Sequence, residues 1–470
     1  MGIWTKSLGQ QVMSRVLFGA AVAAFAAMGM AAQAETITLN DALGLAYETN
    51  PNLDASRAGL RATDENVAKA NAGWRPTVNI DGQYGYQREQ FGDLSPAIPG
   101  GAITDHPIQG QLTVTQPLFR GGKTIAEVGR AKALVRAGRA QLIDSEQQTL
   151  LGAVAAYMNV VRDTSTVKLR ENNVAVLQKQ LDATTKQFQV GELTKTDVSQ
   201  SQARLAGAQA QLTLARGQLA SDRAVFEQVI GRPAEALEEQ PALPKLPATE
   251  EEAAAAGTKN NPIVVGARDA ERAADLAVDD AVGSLSPQLG IQGQYQYQKS
   301  SAGAQFGQPG NSHVTTVFAQ VTVPIYQGGA EYAEIRQAKE LHSQTQLQVV
   351  AADRQVQADV QSAWNTYVAA KAAIESNQAQ VDADQIAYEG VKKEQEVGGR
   401  TILDVLNAQQ ELLNAQVAVV SSQRDAFVAA YQVLQSTGQL TARYLKLNVK
   451  YYDPHEHYDS DHARWIGFGD

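Results

Sequence analysis

The chain has 470 residues, with 40 basic and 50 acidic side chains and no cysteine. The lack of cysteine excludes disulfides, thiolate-bound metals and a lipid-modified N-terminal cysteine, and the acidic balance argues against nucleic-acid binding. Residues 1–34 are predicted to be a secretory signal, because an apolar run follows Lys6 and Arg15 and ends at the small-residue motif Ala32-Gln33-Ala34. Cleavage there removes both basic residues and changes the formal net charge from −10 to −12. An uncleaved membrane anchor is the alternative.

The remaining chain is an internal tandem repeat. Asn50-Pro51 recurs as Asn261-Pro262 at an offset of 211 residues, and Gly121-Gly122 recurs as Gly328-Gly329 at an offset of 207. Many positions held at two constant offsets indicate a duplication and not two independent domains. The predicted organisation is a signal peptide over 1–34, repeat 1 over 35–231, a linker over 232–256 and repeat 2 over 257–437. The tail over 438–470 is predicted either to pack around the middle of the helical region, in an equatorial position, or to be partly disordered.

Each repeat is predicted to begin with a helix of about 20 residues after Asn-Pro, where proline suits the first helical turn. A strand pair follows, at about 77–119 in repeat 1 and about 288–326 in repeat 2, with loops over 88–107 and 299–312. Val78 and Ile80 alternate with Asn79 and Asp81, so one face of the first strand is apolar and the other polar.

These two-faced strands fit either a soluble sandwich or a transmembrane barrel with a polar lumen. No segment after the signal is long and apolar enough for a transmembrane helix, so membrane insertion requires a closed barrel. Four strands cannot close around a lumen, which means that several chains would share the barrel. Tyrosines cluster at one end of the strands, as membrane-interface aromatics do: Tyr84, Tyr86, Tyr295 and Tyr297.

A long helical hairpin is predicted after each Gly-Gly pair, over 121–231 and over 329–437. The first arm lacks proline from Thr124 to Phe188, and its apolar residues recur every three or four positions, as Leu150 and Val154 do. An ordinary periplasmic coiled coil or an adhesin stalk would explain the hairpins. Neither explains the strand pair that precedes each hairpin.

The C-terminal tail contains half of the six histidines, at His455, His457 and His462, among several acidic residues. Such a composition is compatible with metal binding but identifies no ligand set, so no metal site is predicted. The sequence contains no nucleophile–His–Asp arrangement, phosphate loop, HExxH motif or paired-carboxylate motif. No enzyme activity and no cofactor are expected.

Short motifs in both repeats resemble the TolC family of outer-membrane channel-tunnels, in its non-lipidated branch. The residues that carry the resemblance are Thr38–Leu43 with Asn50-Pro51, Gln116–Phe119 before Gly-Gly, Phe188–Val198, and Val397–Ala408. The resemblance covers nearly the whole chain after the signal. It implies an α+β membrane protein: a homotrimer whose protomers each give four strands to a 12-stranded β-barrel and four long helices to a periplasmic coiled-coil barrel.

For function, the resemblance implies an outer-membrane exit duct of Gram-negative bacteria, for tripartite efflux, type I protein secretion or both. Its partners would be a periplasmic adaptor and an inner-membrane pump or ABC transporter. The competing interpretation is a periplasmic coiled-coil adaptor or structural protein without a pore. An adaptor predicts one hairpin with compact β-domains, and not two strand–hairpin repeats.

The resemblance also assigns roles at the two helical turns, the periplasmic end of the tunnel. Asp404 is placed in an acidic ring at the aperture, and Asn407 stands where some relatives have a second acidic ring. Arg400 is expected to link to Thr196 and Asp197 and to lock the gate, whereas Gln395 replaces the family's tyrosine. The turns themselves would contact the adaptor: Val190, Gly191, Glu192, Leu193, Val397, Gly398 and Gly399.

Overall fold

The computed structural model describes residues 36–90, 102–239, 241–300 and 310–468. The predicted signal peptide over 1–34 lies outside these residues, as do residues 91–101 and 301–309 of the two predicted loops.

The described residues contain nine α-helices and six strands. The helices are α1 (Leu39–Thr49), α2 (Pro51–Asn71), α3 (Lys123–Gln189), α4 (Lys195–Ile230), α5 (Glu250–Asn260), α6 (Pro262–Gly283), α7 (Ala330–Glu396), α8 (Ile402–Ser436) and α9 (Glu456–Asp461). The strands are β1 (Thr77–Tyr84), β2 (Gln87–Gln90), β3 (Ala102–Asp105), β4 (Ile108–Arg120), β5 (Gln288–Lys299) and β6 (Asn311–Thr322).

The Asn-Pro pairs begin the repeat helices α2 and α6 in the same way. The Asn50 side-chain oxygen accepts hydrogen bonds from the first turn of α2, while its amide donates to the Val229 carbonyl at the end of α4. Asn261 caps α6 and donates to the Ser436 carbonyl at the end of α8, at 2.9 Å. The asparagine therefore caps one helix and ties it to the returning arm of its own hairpin, while proline fits a position without a helical hydrogen-bond acceptor.

The strand pairs of the two repeats join in one antiparallel sheet with the order β1-β4-β5-β6. The register aligns the apolar positions, because Ile80 lies opposite Leu112, and Leu112 lies opposite Tyr295. Asp81 lies opposite Gln111, and Gln111 opposite Gln296, on the other face. The predicted alternation thus produces a sheet with one largely apolar and one polar face.

Several element boundaries differ from the prediction. The last strand was expected to reach Tyr326, but β6 ends at Thr322, two residues before Pro324, which has no N–H for a strand ladder. Part of the predicted loop 88–107 forms a separate antiparallel pair of short strands, β2 and β3. Helix α5 begins at Glu250, inside the predicted linker 232–256, because Thr249 caps it through the Glu252 N–H.

The two hairpins are built on α3 and α7, which are 67 residues each and therefore about 100 Å long. No helix in the described ranges is long and apolar enough to cross a membrane. The main core lies midway along the hairpins, where α1, α2 and the tail pack on α3, α4 and α8. At its centre, the Tyr157 hydroxyl donates to the carbonyls of Ile37 and Glu238, at 2.9 and 3.1 Å. The tail is thus part of the folded core around the middle of the helical region.

Candidate functional site at the hairpin tips

The two tip turns, Val190–Thr194 and Val397–Thr401, join the arms of the hairpins at the end opposite the sheet. Gly191 and Gly398 have φ angles of +84° and +79°, a backbone conformation that favours glycine and reverses the chain tightly after a helix. The valines before them are highly exposed, at 72% for Val190 and 83% for Val397. Each turn therefore presents an apolar side chain at the extreme tip.

Identical capping boxes start the returning helices α4 and α8. Asp197 Oδ2 accepts hydrogen bonds from the Thr194 hydroxyl and N–H, at 2.7 and 2.9 Å. Asp404 Oδ2 accepts the same pair from Thr401, at 2.8 and 3.0 Å. These bonds hold the pKa of both carboxyls below the usual value for aspartate, with the Thr194 hydroxyl the main cause for Asp197 and the Thr401 N–H for Asp404.

Asp404, the predicted aperture residue, thus has a structural role that its sequence position alone does not reveal. The signal was present as Thr-x-x-Asp ahead of a helical segment in both repeats, and sequence reasoning missed it. Both capping bonds reach the same carboxylate oxygen. Capping and a charge at the aperture are therefore compatible roles for one side chain.

An apolar cluster joins the two hairpins close to their tips. Ile402 and Leu406 of α8 are 2% exposed and pack with Leu177 of α3 and Leu205 of α4. Leu193 contacts this cluster as a partly buried residue, so it faces the other hairpin more than the solvent. This placement separates Leu193 from the other residues predicted to contact an adaptor, which are exposed.

Two polar contacts reinforce this junction. Arg204 of α4 donates to the Asn407 side-chain oxygen at 2.7 Å, and the Gln409 amide donates to the Asn173 side-chain oxygen at the same distance. Asn407, predicted at the second ring position, is therefore engaged with the first hairpin of its own protomer. Arg204 was not identified from the sequence, because nothing local marks an arginine as the partner of a residue 203 positions away.

Arg400, the predicted gate-locking arginine, pairs within its own hairpin. Its Nε lies 3.0 Å from Glu394 Oε2 in an exposed ion pair, and that carboxylate raises the pKa of the guanidinium further. Within the described chain, no hydrogen bond joins Arg400 to Thr196 or Asp197. Gln395, in the place of the family's tyrosine, accepts the Gly398 N–H through its backbone carbonyl.

The predicted interface tyrosines lie at the far end of the sheet, each pair around one histidine. His106 lies between Tyr84 and Tyr86, at centroid distances of 6.3 and 5.4 Å. His313 lies between Tyr295 and Tyr297, at 6.1 and 5.1 Å. The two histidines, missed in the sequence, are separated by the repeat offset of 207 and complete a duplicated aromatic cluster.

The structure separates the three tail histidines. His457 lies near Glu65 and Asp461, and one potential ligand atom from each of the three residues lies within 4.8 Å of the others. This spacing is compatible with binding of one metal ion by all three. His462 instead donates its Nδ1–H to the Tyr458 carbonyl, 2.9 Å away, and its ring stacks on the Tyr458 ring.

Comparisons with known proteins match this architecture. The family described as Outer membrane efflux protein matches residues 42–232 and 257–439, which correspond to the two repeats. The outer membrane efflux protein BepC of Brucella suis biovar 1 is 36% identical over 441 residues, which cover 93% of this chain and 93% of that protein. The outer membrane protein TolC of Vibrio cholerae serotype O1 is 23% identical over 401 residues, covering 84% and 89%.

Among solved structures, the outer membrane protein VceC of Vibrio cholerae superposes with a TM-score of 0.72 at 19% identity. The match covers 85% of this chain and 96% of that one. The four-stranded sheet with a polar face, the paired hairpins and the duplication all agree with these matches, and they confirm the family resemblance found in the sequence. The chain belongs to the outer membrane efflux protein family, the TolC-type channel-tunnels of the Gram-negative outer membrane.

Proposed function

We propose that three copies of this chain form a passive exit duct through the outer membrane, which opens at the hairpin tips. The observation that carries the proposal is the incomplete sheet above two long hairpins. Strands β1 and β6 are exposed throughout, and among the described residues each has one edge without a partner strand. Unpaired strand edges are not tolerated in lipid, so β6 of one protomer pairs with β1 of the next until the barrel closes.

Three protomers with four strands each give a barrel wide enough for an aqueous lumen. The polar face of the sheet then lines the lumen, with residues such as Asp81, Gln111 and Gln296, and the apolar face contacts lipid. The periplasmic adaptor interpretation is less well supported, because an adaptor has one hairpin and this interpretation does not explain the four-stranded sheet. A duct of this kind needs no cofactor and no catalytic residue.

We assign the cation-selective aperture to Asp404. Around a threefold axis its carboxylate would occur three times, and the capping box keeps it ionised by stabilising the charged form. Single-channel recording of Asp404→Ala in planar bilayers, with and without trivalent hexaammine cobalt, tests the assignment. We expect at least a tenfold weaker block, since three charges are lost at the narrowest point.

Thr401→Ala is the matched control, because it removes the capping hydroxyl but keeps the Asp404 carboxylate. If the cap alone mattered, both variants would weaken the block alike. Undiminished block of Asp404→Ala by the trivalent cation would refute the aperture.

We propose that Arg400 bridges to Thr196 and Asp197 of a neighbouring protomer and holds the resting duct closed. The pair with Glu394 is exposed and therefore easily exchanged for another carboxylate. Arg400→Ala should raise the conductance of the resting channel, whereas Glu394→Gln should leave it closed. Equal conductance in Arg400→Ala and the wild type would exclude the link.

The tips are the proposed contact with a periplasmic adaptor, which would connect the duct to an inner-membrane pump or ABC transporter. Because the chain has no cysteine, Val190→Cys and Val397→Cys each introduce a unique thiol at an exposed tip. Cross-linking in cells with a short bifunctional reagent should capture the adaptor from both. Gln348→Cys, exposed on α7 far from the tips, is the control position. Equal capture from Gln348→Cys would rule out tip docking.

A further inference from the structure

We propose that Glu65, His457 and Asp461 form a binding site for a divalent first-row transition ion, Zn²⁺ by preference, that fastens the C-terminal tail to α2. Glu65 lies on α2, whereas His457 and Asp461 lie one turn apart on α9. The site is separate from the tip turns and from the barrel. It joins parts of the chain almost 400 residues apart.

The ligand atoms have the spacing of a shared ion. His457 Nε2 lies 3.3 Å from Asp461 Oδ2 and 3.8 Å from Glu65 Oε1. Two ligand atoms that each lie about 2.1 Å from a tetrahedral zinc ion are separated by about 3.4 Å. A small movement of the exposed Glu65 side chain towards His457 would bring all three ligand atoms within reach of one ion. The fourth coordination position is then left for water.

The Asp64 carboxylate lies beside the imidazole of His457, where it can orient the ring. Its side chain is only 2% exposed, and neither carboxylate oxygen has a hydrogen-bond partner of good geometry in the described residues. One of these oxygens, Oδ2, lies 3.5 Å from His457 Nδ1. A carboxylate that accepts the Nδ1 proton leaves the Nε2 lone pair free for a metal, which is the usual arrangement behind a metal-bound histidine.

The local charges favour a cation at this point. With Nδ1 protonated towards Asp64, the Nε2 lone pair faces the oxygens of two carboxylates, and like charges repel unless a positive ion lies between them. Arg464 neutralises Asp461 from the other side, at 2.8 Å, and Arg139, directed over the ring of Tyr458, also acts on Asp64. A metal ion bound by Nε2 and the two carboxylates would supply that charge.

A mixed set of one imidazole and two carboxylates favours a transition metal over Ca²⁺ or Mg²⁺, which prefer oxygen ligands. The ion would complete contacts that already hold this part of the tail. The Asn71 amide donates to the His462 carbonyl at 2.9 Å, and Arg75 donates to the carbonyls of Ala463 and Arg464. These contacts lie next to the start of β1, so the site would brace the junction between helices and sheet.

The test uses the full-length trimer in detergent, purified without a histidine tag and treated with a chelator. Zn²⁺ is titrated by calorimetry and counted by mass spectrometry, and Co²⁺ reports the ligand geometry through its visible absorption. We expect about one Zn²⁺ per chain and its loss in His457→Ala. Asp64→Asn keeps all three ligands but weakens binding by about 10- to 100-fold, because the imidazole loses its orienting partner.

His455→Ala is the matched control, since this histidine belongs to the same tail and is not part of the cluster. Glu65→Gln removes a ligand with little change of shape and serves if His457→Ala does not fold. Hydrogen exchange over residues 456–465 should slow with Zn²⁺ in the wild type and in His455→Ala, but not in Glu65→Gln. No Zn²⁺ binding by the wild type, or equal binding by His457→Ala, would overturn the proposal.

Discussion

Helices α3 and α7 are equal in length and equivalent in the repeat, but their surroundings differ. Helix α3 buries 19 of its 67 residues within the protomer, whereas α7 buries only Glu331, Val356 and Val360. Leu150 and Val154 of α3 are fully buried, and the residues at the offset of 207 are the exposed Gln357 and Gln361. After duplication, one copy became the core of the protomer and the other its surface.

The exposed surface of α7 is nevertheless not uniformly polar. Leu341, Leu347, Val350 and Ile386 are between 47% and 73% exposed. Large apolar side chains exposed along one long helix indicate a surface that another chain covers. In the proposed trimer, the neighbouring protomer supplies the packing that α3 finds within its own chain.

A charge placed on α7 tests whether a neighbouring protomer covers this helix. Leu347→Glu should lower the trimer fraction by more than tenfold, because a buried leucine contributes about 1.5–3 kcal/mol and the change occurs in three interfaces. Light scattering of the detergent-solubilised protein measures the effect. Gln348→Glu adds the same charge at the next, exposed residue and should remain trimeric. A trimer unaffected by Leu347→Glu would show that this part of α7 faces solvent.

Truncating one side chain in the main core tests whether the two repeats contribute differently to the free energy of unfolding. Leu150→Ala should reduce the free energy of unfolding by about 2–5 kcal/mol, because it leaves a cavity in the main core. Gln357→Ala, the equivalent change in repeat 2, should stay within about 0.5 kcal/mol. Urea denaturation followed by circular dichroism measures both. Equal losses would mean that the two copies contribute alike to the core.

The smallest expected effect concerns the capping boxes, where the two copies are alike. The lowered pKa of Asp197 and Asp404 means that capping stabilises the helix starts above the unfolded aspartate pKa of about 3.9. This stabilisation is lost as the pH falls through the lower folded values, since the protonated acids no longer accept both bonds. Hydrogen exchange at 194–198 and 401–405, corrected for intrinsic rates, should rise in parallel at acid pH. Protection that persists in one turn alone would contradict the shared cap.

Periodicity and repetition predicted much of this architecture. The alternation that begins at Val78 was sufficient to assign the faces of the sheet, and the Asn-Pro pairs marked the starts of α2 and α6. Both signals are local, since they depend on the period of a strand or on the first turn of a helix. The short strands β2 and β3 were missed because their residues, including Arg88 and Glu89, have no such alternation.

The pairing of polar side chains was not predictable to the same degree. Within one protomer Arg400 pairs with Glu394 and not with Asp197, because an exposed arginine can reach any acid within its length. Asp64 and His457 are 393 positions apart, and only the packing of α9 on α2 brings them together. Sequence composition marked the tail histidines as a group, whereas the fold selects one of them.

The open edges of the sheet have a consequence for biogenesis. Before assembly, a single protomer carries the unpaired backbone of β1, 8 residues, and of β6, 12 residues, together with the apolar face of the sheet. Such edges add any available strand, so the unassembled chain is prone to aggregate in the periplasm. The yield of functional ducts should therefore depend on the synthesis rate and on chaperones that shield these strands until three protomers meet.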